Sequence, residues 1–112
     1  MNQKEYNGWT NYETWLVGLW LDNDQGSYEY WQEQAQEVAK TAKPEYDWET
    51  VEDARVKVLA EMLESSVDEQ AGELMPEAGL FSDLLNAALS EINWREIAEH
   101  YLDDVEVEVE VE

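Results

Sequence analysis

The side chains best equipped for chemistry are His100, with Glu96 one helical turn before it, and an acid-rich turn at Asp22-Asn23-Asp24-Gln25-Gly26. A carboxylate four residues ahead of a histidine can orient the imidazole as a general base or supply half of a metal site. Neither arrangement is complete. The chain has one His and no Cys, and no nucleophile motif accompanies the pair, so a surface ion pair or a partly buried imidazole is expected. The acidic turn imitates a calcium loop, with Glu33 eleven residues after Asp22, yet its glycine falls at position five where such a loop needs it at six. Ser27 to Glu33 also reads as helix, which makes an ordinary inter-helix turn the expectation. Carboxylate pairs are too numerous to single out a catalytic dyad, and no Gly-rich phosphate loop occurs. These residues point away from enzymatic activity and require neither metal nor cofactor.

Carboxylates in bulk suggest a different use. The 112 residues hold 28 Asp plus Glu against 6 Lys plus Arg, a formal net charge of −22. Such a surface repels anionic lipid headgroups and free nucleic acid, whose binding rests on Lys and Arg neutralising phosphates. Direct nucleic-acid or membrane binding is therefore excluded, and the attractive partner is a basic surface of the kind that holds nucleic acid. The charge is lopsided: residues 47–72 carry two basic against eight acidic groups and residues 73–104 one against eight. Twenty-two charges match about 37 Å of duplex at one charge per about 1.7 Å.

Several helices must position these groups. Thr10-Asn11-Tyr12-Glu13 has the spacing of a capping box, and Tyr12, Trp15, Leu16, Leu19 and Trp20 follow at three- and four-residue intervals, which predicts a helix over 11–22 with those residues inward. Ser27 is expected to cap a second helix through Trp31, Ala35 and Val38, ended by Pro44. Asp47 or Thr50 starts a third, running to a break near Gly72. Residues 73–79 form a connector. The fourth helix, through Leu80, Phe81, Leu84, Leu85, Ala88 and Leu89, is nearly apolar enough to be the central buried one. A fifth begins at Asn93 and buries Trp94, Ile97, Ala98, Tyr101 and Leu102. The fold class is all-α: one helical domain over 1–104 with an acidic Val-Glu tail over 105–112, either charge-extended or a short strand that adds to a sheet edge. No stretch approaches a membrane span and the start lacks the apolar core of a signal peptide, so a cytoplasmic protein is expected.

On this scaffold, Glu61, Glu64 and Asp68, or Glu49, Glu52 and Asp53, can form carboxylate rows on a solvent face, because helical residues three and four apart are neighbours. Rows of this kind compete for the Arg and Lys contacts that phosphates would make. Nucleic-acid mimicry needs the acids gathered on one face, whereas solubility or salt adaptation spreads them evenly. Trp9, Trp15, Trp20 and Trp31, with Tyr6, Tyr12, Tyr28 and Tyr30, crowd the first 31 residues. Trp15, Leu16, Leu19 and Trp31 are expected in the core, while Trp9 and Tyr6 either staple the first helix or anchor a partner.

The segment Tyr6-Asn7-Gly8-Trp9-Thr10-Asn11-Tyr12-Glu13-Thr14-Trp15, running on to Leu19-Trp20-Leu21-Asp22-Asn23-Asp24, and the later pair Leu84 to Leu89 and Asn93 to Ala98 resemble small proteins of bacteriophages and mobile elements. That resemblance implies a phage or plasmid setting and carries no active residues with it. By size and charge the chain is also similar to acidic DNA-mimic inhibitors, including anti-CRISPR and anti-restriction proteins. The expected function is a non-enzymatic inhibitor that occupies the basic nucleic-acid-binding surface of a host defence protein, a CRISPR effector or a restriction enzyme. Its contacts are expected from Glu49, Glu52, Asp53, Glu61, Glu64, Asp68 and Glu69, then Asp103, Asp104, Glu106 and Glu108. The alternative is an interaction or assembly module that uses the aromatic N-terminal half, with acidity serving solubility or salt adaptation.

Overall fold

The structure, a computed structural model, describes residues 6–103 and 105. Five helices follow one another: α1 (Tyr12–Asn23), α2 (Gln25–Thr41), α3 (Val51–Leu74), α4 (Leu80–Leu89) and α5 (Trp94–Asp103), with no strand among the described residues. The all-α fold is as expected. Asp104, Glu106 and Glu108, and with them the choice between strand and extended tail, lie outside the described residues.

Three helices make the core. From α2 come Trp31, Ala35 and Val38; from α3, Val56, Leu59, Ala60 and Leu63; from α5, Trp94, Ile97, Ala98 and Tyr101. On α5 these residues fall at i, i+3, i+4 and i+7, one continuous stripe, and Ile97, Ala98 and Tyr101 are fully enclosed. The central helix is therefore α5, packed chiefly on α3, and not α4 as its apolar composition suggests. On α4, Leu80, Phe81 and Leu84 face water, only Ser82 is buried, and Leu89 touches the core from its edge. Total apolarity does not decide burial: α2, α3 and α5 close a core among themselves and leave α4's large side chains no face to fill.

Two helix starts differ from expectation. The cap of α1 is Asn11, not Thr10: its Oδ1 accepts both the Thr14 N–H (2.9 Å) and the Thr14 hydroxyl (2.6 Å). Thr10 is tied to another element, its N–H donating to Glu96 Oε1 at 2.9 Å. The cap of α2 is Asp24, which accepts from the Ser27 N–H and hydroxyl, so Ser27 lies inside the helix it was expected to start. At α3 the capping box between Thr50 and Asp53 is as expected, and the helix runs past Gly72 to Leu74.

The face of α1 also differs. Its inward positions are Thr14, Val17, Gly18 and Leu21, again i, i+3, i+4 and i+7, while Leu19 is exposed and Trp20 is 69 % exposed. The stripe chosen from aromatic residues is rotated away from the one that packs. What seats α1 is polar. Thr14, with no exposure, receives the Asn93 N–H on its hydroxyl at 2.8 Å; the Asn93 side chain donates to the Thr10 hydroxyl, and the Asn11 side chain to the Glu91 carbonyl at 2.7 Å. The start of α5 is thus clasped by the start of α1. Thr14→Val keeps the volume and leaves the Asn93 N–H without its acceptor; a loss of about 1–3 kcal/mol in denaturant unfolding is expected.

Before the clasp lies a turn that places Trp9. Asn7 and Gly8 both have positive φ, 47° and 90°, between Tyr6 and Trp9, which exchange two backbone bonds of 2.8 and 2.7 Å. Positive φ at both central positions is the signature of a type I′ turn, and Asn-Gly is the dipeptide that adopts it most readily.

Candidate functional site

The expected carboxylates separate into three groups. Glu49 is internal: its side chain is 4 % exposed, one oxygen accepts the Glu45 N–H at 2.7 Å and the other lies 3.5 Å from Lys57 Nζ. It does not belong to a solvent row, because residues 42–50 fold back across α3 to meet Lys57. Glu45 reaches the same ammonium at 3.0 Å, and that hydrogen bond, with the charges of both acids, holds Lys57 above its ordinary pKa against a smaller opposing loss of hydration. Lys57 also sits over the Tyr46 ring, which stacks on Trp48 at 5.1 Å. Asp53 is occupied by the α3 capping box. Glu52 is exposed but lies nine residues, two and a half turns, before Glu61, on the opposite side of the helix. The row expected from Glu49, Glu52 and Asp53 is not formed.

Glu61, Glu64 and Asp68 do form one. Seven residues make almost two full turns, so Glu61 and Asp68 stand in line with Glu64 beside them, all exposed and turned away from Val56, Leu59 and Leu63. None of the three makes an ion pair among the described residues. Glu61 and Glu64 share a groove with Lys57 and Arg95, whereas Asp68, Glu69 and Glu73 continue α3 with no cation nearby in sequence. From residue 58 to residue 94 the chain carries eight acids and no Lys or Arg.

A second row escaped the sequence reading. Glu29, Glu33 and Glu37 repeat at i, i+4 and i+8 on α2, exposed, on the side away from Trp31, Ala35 and Val38. The four-residue period was the available signal. On α5, Glu99 and Asp103 are exposed one turn apart. Acids therefore occupy the outer faces of α2, α3 and α5, so the single gathered face expected of nucleic-acid mimicry is not formed and only local rows remain; residues 5–39 and 58–94 are the two long stretches without Lys or Arg.

The histidine has a partner that sequence distance conceals. His100 Nε2 lies 3.1 Å from Asp22 Oδ2, while Asp22 Oδ1 accepts the Tyr101 hydroxyl at 2.8 Å, 79 residues away. Glu96, the expected partner, is buried and accepts from Thr10. Trp9 meets the His100 ring edge-on at 5.4 Å, and the cleft beside them, lined by Gly8, Glu99 and Asp103, presents no hydroxyl, thiol or amine among the described residues. The pair ties α1 to α5. Asp24 caps α2 where a calcium loop would have to continue, and no cluster of three or more His, Asp or Glu poised for a metal occurs among the described residues. No described helix is long and apolar enough to cross a membrane.

Residues 2–110 match the model of a family of unknown function, DUF7249. No curated protein and no solved structure matches the chain.

Proposed function

We propose that this chain, which belongs to the DUF7249 family, is a non-enzymatic inhibitor that docks its acidic surface on the cationic, nucleic-acid-holding surface of a host defence protein. The observation that carries this reading is the row Glu61, Glu64 and Asp68, which makes no ion pair among the described residues. At 1.5 Å of rise per residue the row sets three charges in about 10 Å, and one strand of a duplex sets about three phosphates in the same length. Glu61 and Glu64 stand beside Lys57 and Arg95, whereas Asp68 points into the stretch 58–94 that holds no Lys or Arg, so the field of the row is least neutralised at its Asp68 end.

A protein captured from host lysate by the tagged chain is expected to release a labelled DNA or RNA duplex when the chain is added. Reversing Glu61, Glu64 and Asp68 to Lys should weaken that competition by about tenfold, and association should slow as salt is raised. The same three-charge reversal at Glu29, Glu33 and Glu37 controls for net charge and should act less. A captured partner that keeps its nucleic acid, or equal effects from the two reversals, would count against the row. A second reading, an interaction module whose acidity serves solubility, draws support from the exposed apolar side chains of α4 more than from Trp9, which packs internally.

A further inference from the structure

We propose that the outward face of α4 is a docking site for a cationic amphipathic helix of a partner protein. Leu80, Phe81 and Leu84 are 68, 67 and 57 % exposed and share one side of α4. The helix is attached by its other side: Ser82 is buried, Leu89 touches the core, and Leu85 and Asn86 border a cleft against Asp68 and Gly72 of α3. Leu74, 76 % exposed, and Met75 add apolar surface where α3 ends. Scattered exposed leucines are ordinary on any protein, but a helix that turns its large apolar side chains outward as a set marks an interaction surface.

Charge selects the occupant. This face lies within the stretch from residue 58 to residue 94, which has eight acids and no Lys or Arg. A second copy would bring an identical anionic field against it, and an anionic bilayer would do the same. A helix with Leu, Ile or Phe at i, i+3, i+4 and i+7, flanked by Lys or Arg, meets both the apolar stripe and the exposed carboxylates next to it in the chain, Glu77 and Asp83. The inference shares a cationic partner with the function proposed above, but it does not depend on the row Glu61, Glu64 and Asp68.

The test uses the full chain and two labelled probes of equal charge: an 18-residue Leu/Lys peptide patterned as an amphipathic helix, and an oligolysine. Fluorescence anisotropy should show the Leu/Lys peptide binding more tightly. Phe81→Ser with Leu84→Ser should weaken that peptide about tenfold and leave oligolysine unchanged, since only apolar burial is lost. Circular dichroism melting of the variant checks that the fold persists. Reversal of the α3 row should weaken both probes; if it weakens neither while the serine effect remains, the row reading fails and this one stands. The proposal is overturned if the serine variant binds both probes as the parent does, if the peptide binds no better than oligolysine, or if the parent sediments as a dimer that the serine changes dissociate. Binding of the parent to neutral lipid vesicles in preference to the peptide would also overturn it.

Discussion

Leu63→Ala is expected to lower the free energy of unfolding by about 3 kcal/mol, and Leu84→Ala by less than about 0.5 kcal/mol. The chemistry of the two changes is the same; only position differs. Leu63 has no exposure and sits on the α3 side of the core against α5, so truncation loses the transfer free energy of its methyl groups and opens a cavity that rigid neighbours cannot fill. Leu84 is 57 % exposed and forfeits little when shortened. For a chain of this length the first change should lower the melting temperature by roughly 10 °C. Urea unfolding of the two variants side by side is the measurement. Equal losses would mean that Leu84 packs into the core as Leu63 does.

That contrast shows where sequence reasoning succeeds on this chain and where it does not. Helix number, the α3 capping box and the buried stripe of α5 are legible because each rests on local spacing: Thr50 to Asp53, and Trp94, Ile97, Ala98 and Tyr101. On α4 and α1 spacing alone misleads. Both carry apolar side chains at helical intervals, but which stripe faces inward depends on what the other helices leave open, a tertiary fact. On α1 the packed stripe is the less apolar one, because Gly18 admits close approach and Thr14 a bond to the distant Asn93, while Trp20 offers neither. The caps follow suit. Where two capping residues stand in succession, as Thr10 and Asn11 do, the bond from Thr10 to Glu96, 86 residues away, decides between them.

The same division runs through the candidate site. Glu61, Glu64 and Asp68 were legible as a row because a regular helix fixes their relation. Glu49 was not, since its burial depends on residues 42–50 folding back to Lys57, and no local pattern encodes that return. His100 paired with Asp22 in place of Glu96 is a further case: two residues of one helix face compete with a partner brought from α1, and the tertiary partner wins because Glu96 is drawn to the Thr10 N–H.

Trp9→Ala is expected to cost about 2–3 kcal/mol, and Trp20→Ala less than about 0.5 kcal/mol, although both belong to the same aromatic-rich segment. The type I′ turn at Asn7 and Gly8 lays the Trp9 ring over Gly18, where an added Cβ would stand 3.3 Å from the ring, and edge-on to His100. Close approach of ring to helix is what a glycine at that position permits. Trp20, 69 % exposed, has no such seat. The arrangement also predicts a coupling. Gly18→Ala gains helix propensity of about 1 kcal/mol but forces the Trp9 ring outward by a few tenths of an ångström, so alone it should change stability little. With Trp9 already Ala, the obstacle is gone and the same substitution should stabilise by about 1 kcal/mol. A double-mutant cycle measured by urea unfolding reads the difference directly, and strict additivity would show that ring and helix do not touch. If the coupling is found, Trp9 acts as an intramolecular staple for the α1–α5 clasp, and its ring serves the fold rather than a partner.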